Sequence, residues 1–180
     1  MRRRVPVLLT AGLMNALQGS WGVALADLMH AVAIEPEDPA ASLAAGVAAL
    51  HYASNVKHDD VSDEARHAWV LKAVALLQKA GRLRAAAGHG SREGEYNLAR
   101  GLHQLGLVHL AVPLYERCLA RDDDDDPNTG ADASSPNLRW EAAHNLSSIF
   151  KASGAPELAR EVLKKHATIV EDGIPTSITA

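Results

Sequence analysis

The sequence is short of aromatic residues, of cysteine and of long apolar runs. Aromatic residues fill only 4% of the 180 positions, and this shortage disfavours strands, because aromatic and β-branched side chains suit a pleated sheet best. The one cysteine, Cys118, excludes an internal disulfide and fits a reducing compartment. No apolar run reaches the roughly 18–20 residues that a membrane span needs, so we expect no membrane partner.

Strong positive charge is missing as well. The net charge is -4 and the isoelectric point is about 6.1, whereas nucleic-acid-binding proteins usually carry a basic face. The densest basic cluster, residues 2–4, is typical of solvated surface charge. We therefore expect this chain to reach DNA only indirectly, through other proteins.

The usual motifs of catalysis are absent from the sequence. None of the nine histidines has a partner four residues away, the spacing that helical zinc sites use. The segment from Gly88 to Gly90 lacks the Lys-Ser/Thr pair of a phosphate-binding loop, and no G-x-S-x-G elbow occurs. Cys118 lies in an apolar helical pattern, which indicates a small buried side chain. The sequence therefore predicts a protein that is not an enzyme and that uses no cofactor, no metal and no small-molecule substrate.

Alanine and leucine dominate the chain, and they recur as a repeat. Three pairs of positions are each 48 residues apart: Asn97 and Asn145, Gly106 and Gly154, Ala111 and Ala159. This spacing is one tetratricopeptide (TPR) period of about 34 residues plus an insertion. The insertion is visible at residues 122–136, an acidic run rich in Gly, Ser and Pro that we expect to be a disordered, solvated loop. In each copy the glycine would turn the chain between helix A and helix B.

Two further copies precede this pair, so the predicted fold class is all-α, a TPR-type helix-turn-helix solenoid of about four repeats. Residues 5–84 form the first pair, whose second repeat is irregular and has a long helix B. Residues 85–94, which contain three glycines, are predicted to be a linker. Residues 95–170 form the second pair with its insertion, and residues 171–180 form a tail. An array cut from a longer solenoid exposes an apolar end, which we expect here around residues 5–13.

The concave face of a TPR solenoid is lined by the A helices, and it is the candidate binding surface. Counting along the repeat makes this face apolar in the first two repeats, at Leu9, Leu13, Leu43, Val47 and Leu50. In the last two repeats it is polar and mildly basic, and the predicted partner-binding residues are Tyr96, Arg100, His103, Gln104, His144 and Lys151. A Tyr–Arg pair is typical of interface hot spots. The alternative is that some of these residues only pack between repeats.

One phrase goes beyond the general repeat pattern. Residues 96–111, YNLARGLHQLGLVHLA, resemble the C-terminal repeats of the TPR subunit of transcription factor IIIC, which serves RNA polymerase III. Residues 37–54 and 142–163 resemble flanking parts of the same region. The resemblance implies a nuclear scaffold whose partners are other transcription factor IIIC subunits. Members of the family engage transcription factor IIIB through a further TPR array that this sequence lacks, so the resemblance implies transcription factor IIIB only as a less direct partner.

The alternative function is a generic TPR adaptor, or a co-chaperone-type module that binds a peptide segment. A co-chaperone clamp needs Lys or Arg together with Asn on successive A helices. Asn97, Arg100 and Asn145 supply only part of that set, and the first two repeats supply none of it.

Overall fold

The computed structural model describes residues 4–55, 62–88, 92–120 and 138–167, and the backbone of 170–171 and 174–175. These parts contain eight α-helices: α1 (Val5–Leu17), α2 (Trp21–Ile34), α3 (Pro39–Asn55), α4 (Asp63–Ala86), α5 (Arg92–Gln104), α6 (Val108–Ala120), α7 (Leu138–Ala152) and α8 (Pro156–His166). Two short antiparallel strands follow, β1 (Val170–Glu171) and β2 (Ile174–Pro175).

Three of the helix pairs turn in the same way, on a glycine with positive φ. Gly19, Gly106 and Gly154 have φ values of 75°, 74° and 78°, in the left-handed region that side chains with a Cβ disfavour. After Gly106, the N–H of Leu107 donates to the carbonyl of Leu102 over 2.9 Å. The first and last hairpins carry the equivalent hydrogen bond. The predicted turn glycines are therefore confirmed.

The helices stack in chain order. Each helix from α1 to α8 packs on the next one, and α1 also packs on α3 and α5 on α7. Small residues allow this close packing: Ala24, Ala111 and Ala159 hold the same place in helices α2, α6 and α8, and all three are fully buried. The fold is a TPR-type helix-turn-helix solenoid of four hairpins, as the sequence predicted.

The break between the two pairs of repeats is shorter than the predicted linker at residues 85–94. Helix α4 continues to Ala86, and α5 already begins at Arg92. Gly94 is part of α5, and its backbone lies against that of Gly81. A Cβ placed at Gly94 would come within 2.6 Å of the Gly81 Cα, so only glycine fits there. The ion pair of Arg84 with Glu93, at 2.6 Å, joins the same two helices. Gly94 therefore serves packing and not chain flexibility.

Other parts of the predicted organisation fall outside the described residues. They include the whole of the acidic insertion at 122–136, residues 89–91 of the linker, and most of the tail at 171–180. Residues 56–61, between the two helices of the irregular second repeat, also lie outside the described residues. The long helix B of that repeat, α4, starts at a capped end. The Ser62 hydroxyl accepts a hydrogen bond from the N–H of Ala65 over 3.3 Å, which satisfies one free donor of the first turn.

Candidate partner-binding surface

The predicted binding residues lie on two adjacent A helices. Arg100, His103 and Gln104 belong to α5, and His144 and Lys151 belong to α7, which packs against α5. All but His103 of these five are exposed, and His103 is half-buried. Spacings of three and four residues keep side chains on one face of a helix. We refer to these five residues as the polar surface.

Tyr96, the sixth predicted residue, does not lie open on this surface. It is 7% exposed and belongs to the core of the second pair of repeats. Its ring meets that of Tyr115 edge to face, with centroids 6.1 Å apart, and its hydroxyl accepts a hydrogen bond from the Asn145 side chain over 3.4 Å. Burial raises the pKa of Tyr96. Tyr96 therefore packs between repeats, the alternative that the sequence leaves open for these positions.

Tyr96 nonetheless contacts a residue of the polar surface from the core side. The guanidinium carbon of Arg100 lies 5.7 Å from the centroid of the Tyr96 ring, within the range of a cation–π contact. The His103 ring contacts the other tyrosine of the core, Tyr115, edge to face, with ring centroids 6.2 Å apart. Arg100 and His103 are thus held by a pair of buried aromatic rings, which limits the number of positions that they can take.

The surface extends into the second repeat through His51, which the repeat count missed. The His51 ring on α3 stacks on Trp21 of α2, with centroids 4.0 Å apart and planes 11° from parallel. Its Nδ1 atom lies 3.4 Å from the Nε2 atom of Gln104. Burial, and then the positive charge of Arg100, lower the pKa of His51. A contact between α3 and α5 therefore links the polar surface to the first pair of repeats.

The apolar half of the predicted groove is less open than expected. Leu50 is only 2% exposed and lies in the core formed by α2, α3 and α4. Leu9, Leu43 and Val47 are half-buried against the same core, and only Leu13 is largely exposed. In the second repeat His51, the residue after Leu50, is what reaches the polar surface. In the frame of the repeat, Leu50 holds the position of His103 and His51 holds the position of Gln104.

The polar surface combines positive charge with hydrogen-bonding groups. Its members are two cations, two imidazoles and an amide, a set that can hold carboxylates and carbonyl oxygens. Glu141, on the first turn of α7, adds to the effect of burial in raising the pKa of Tyr96. A negative charge therefore lies near the Tyr96 end of the polar surface. Among the described residues no group of His, Cys, Asp and Glu is placed to hold a metal ion. Within the same ranges no helix has the length and apolar character to cross a membrane.

The comparisons with known proteins agree with the resemblance in the phrase at 96–111. The human protein "General transcription factor 3C polypeptide 3" is 32% identical over 155 residues, or 85% of this chain. The Schizosaccharomyces pombe "Transcription factor tau subunit sfc4" is 32% identical over 168 residues, or 89% of the chain. The chain is homologous to this subunit of transcription factor IIIC. The "Transcription factor tau 131 kDa subunit" of Saccharomyces cerevisiae is also similar, with 28% identity over 74% of the chain.

The homology covers a small part of each transcription factor IIIC subunit. The chain spans 16% of the length of the human and S. pombe relatives and 12% of the S. cerevisiae one. No protein-family model matches the chain. A solved structure of a Podosopora anserina putative kinesin light chain with TPR-like repeats aligns over 91% of this chain and 93% of its own, with a TM-score of 0.41 and 19% identity.

Proposed function

We propose that the chain is a protein-binding scaffold that joins subunits of transcription factor IIIC in the nucleus. The observation that carries the proposal is homology to the transcription factor IIIC subunit over most of the chain. It is supported by the polar surface, because Arg100, His103 and Gln104 lie inside the phrase that most resembles the family. On this proposal the chain acts by binding and carries out no catalysis, and DNA is reached only through its partners. Transcription factor IIIB is a less direct partner.

The chemistry of the polar surface indicates the kind of segment that it binds. Two cations near imidazole and amide groups favour an acidic or amphipathic segment of another transcription factor IIIC subunit. Arg100 is pre-positioned over Tyr96, which reduces the entropy lost when a carboxylate is bound. A co-chaperone-type clamp has less support, since the Asn145 amide already donates to Tyr96.

Charge reversal tests this proposal. The double variant Arg100→Glu with Lys151→Glu replaces two exposed cations and removes no buried side chain. The tagged chain carrying it should recover less of its transcription factor IIIC partners from nuclear extract, on the order of tenfold less, because like charges then face each other. The loss should be greater at low salt, where screening is weaker. Circular dichroism should show unchanged helical content.

The matched control reverses two cations on B helices, at Arg82 and Lys165, both of which are exposed. Arg117 is avoided, because its guanidinium lies 3.8 Å from Glu95. We expect near-normal partner recovery from the control. If the control loses its partners while the Arg100/Lys151 variant keeps them, the binding surface is on the B helices and the proposal is wrong about its position.

A further inference from the structure

The A helices of the first two repeats carry no formal charge. Helices α1 and α3 contain no Asp, Glu, Lys or Arg, whereas α5 and α7 contain both acidic and basic residues. Within α1, Leu13 is 50% exposed and Leu17 is 83% exposed. We refer to these two residues as the apolar surface.

The apolar surface occupies the same repeat positions as part of the polar surface. When the hairpins are aligned on their turn glycines, Leu13 corresponds to Arg100 and Leu17 to Gln104. A shift of about 34 residues, one repeat, likewise places Leu17 on His51. Equivalent positions of successive A helices follow one another across the concave face of a solenoid. The two surfaces are therefore two ends of one row of positions.

The row stays open where another helix packs in front of an A helix. Gln104 and Ala152, the equivalents of Leu17 in α5 and α7, are exposed although α4 and α6 pack against those helices. Met14 holds a different kind of position, since its equivalent in α7, Ile149, is buried in the core shared with α6. A helix packed in front of α1 would therefore cover Met14 and leave Leu17 open. The exposure of Leu17 is a property of its repeat position.

Contacts join the two ends of this row. The Nδ1 atom of His51 lies 3.4 Å from the Nε2 atom of Gln104, and the His51 ring stacks on Trp21, the first residue of α2. The polar surface on α5 is thus linked through α3 to the hairpin that carries the apolar surface. Because α1 and α3 contain no charged residue, the positive charge of the row ends at Arg100.

Charge at one end of the row and apolar side chains at the other favour one kind of partner. Carboxylates bind best beside Arg100 and Lys151, and apolar side chains gain most from burial beside Leu13 and Leu17. A carboxylate over the apolar surface would lose its water without gaining a cation. The row therefore distinguishes the two directions in which a segment could cross it.

We propose that the polar surface and the apolar surface together bind one segment of another transcription factor IIIC subunit, with its acidic residues over α5 and α7 and an apolar stretch over α1. This inference rests on the proposed function, and it adds a second anchor and the direction of the bound segment. A segment that is acidic throughout fills only half of the row, and its affinity is lower because it gains nothing from Leu13 and Leu17.

Removal of the apolar anchor tests the proposal on the tagged full chain. The double variant Leu13→Gln with Leu17→Gln should recover on the order of tenfold less of the transcription factor IIIC subunits from nuclear extract, because two apolar contacts are lost. Mass spectrometry identifies and quantifies the recovered subunits. The loss should be similar at low and high salt, since apolar burial is not screened, whereas the loss from reversing the charges of the polar surface depends on salt.

The matched control is Val7→Gln with Met14→Gln. These residues are 67% and 52% exposed on the same helix but hold other repeat positions, so recovery should stay near normal. If charge reversal on the polar surface loses the partners while the Leu13/Leu17 variant keeps them, the inference is wrong and the proposed function stands. Equal losses from the control and the Leu13/Leu17 variant would contradict the inference as well. If charge reversal leaves recovery unchanged, the proposed function fails and the inference fails with it.

Cross-linking in the recovered complex tests the direction of the bound segment. The photoreactive residue p-benzoylphenylalanine in place of Leu17 marks what lies over the apolar surface, and carbodiimide couples the Lys151 amine to a neighbouring carboxylate. Both cross-links should fall within one segment of one transcription factor IIIC subunit, with position 17 joined to an apolar stretch. A cross-link from position 17 to an acidic stretch, to a different subunit or to a second copy of this chain would overturn the proposal. So would the absence of any cross-link from position 17 while Lys151 is coupled.

Discussion

The imidazole of His51 is in contact with two other helices of the solenoid, and its ionisation reports on the polar surface. Burial, and second the charge of Arg100, lower its pKa from the ordinary value of 6.5. A histidine with a lowered pKa binds protons more tightly in the unfolded chain. Protonation therefore favours unfolding, and this group's contribution to stability is lost as the pH falls from about 6.5 towards the folded-state pKa.

We predict that NMR titration of His51 gives a pKa below 6.5 and that Arg100→Gln raises it. The rise should be partial, because burial, the larger cause, remains. Lys151→Gln is the control at the far end of the polar surface, and it should leave the His51 pKa unchanged. A pKa at or above 6.5 in the unaltered protein would show that the imidazole is neither buried nor near the guanidinium.

For single residues, the sequence could predict which face of a helix a residue occupies, but not always whether its side chain is open to solvent. Tyr96 and Arg100 are one turn apart on the same helix. The Tyr96 ring is nevertheless buried because Tyr115 and Asn145, on two other helices, close over it. Such closure depends on the placement of neighbouring helices, which a periodic pattern does not contain. His51 holds the same repeat position as Gln104, so extending the predicted surface into the second repeat at that position would include it.

Between elements, the contact of α4 with α5 depends on two glycines. A Cβ at Gly94 would lie 2.6 Å from the Gly81 Cα, so one of the two helices would have to move. We predict that Gly94→Ala lowers the free energy of unfolding by about 1–3 kcal/mol, as overpacking does. Urea denaturation monitored by circular dichroism measures it.

Gly22→Ala is the matched control for that substitution. Gly22 also lies inside a helix, α2, but a Cβ there would meet the Tyr52 ring at an ordinary 3.5 Å. Alanine favours helix over glycine, so this change should stabilise the protein by about 0.5–1 kcal/mol. If both alanines stabilise the protein, α4 and α5 do not cross as closely as described.

Gly81 and Gly94 also explain why the structure differs from the linker that the sequence predicted at residues 85–94. Glycine at a turn and glycine at a helix crossing look alike in a sequence, and the glycines between residues 85 and 94 indicated a linker. Gly106 and Gly154 could be recognised as turns because they recur at the repeat spacing. Gly81 and Gly94 have no such partner in the repeat, so their contact is visible only once α4 and α5 are placed.

Across the described parts of the molecule, the buried residues form two main clusters. One cluster lies among α2, α3 and α4, and the other among α5, α6 and α7. Leu98 of α5 packs against both. Because each helix of a solenoid mainly contacts its neighbours, stability is close to a sum of local terms. Damage to one cluster should therefore reach the other only weakly, through α4 and α5.

Hydrogen exchange measured by mass spectrometry tests this expectation with two matched substitutions. Leu146→Ala and Leu28→Ala each remove an almost fully buried leucine, one from each cluster, at a cost of about 2–5 kcal/mol. Leu146→Ala should speed exchange in α7 and α8, and less so in α5 and α6, while α2 and α3 keep their protection. Leu28→Ala should give the reverse pattern. Equal loss of protection in all helices from either substitution would mean that the solenoid unfolds as one cooperative unit, with α4 and α5 coupling the clusters strongly.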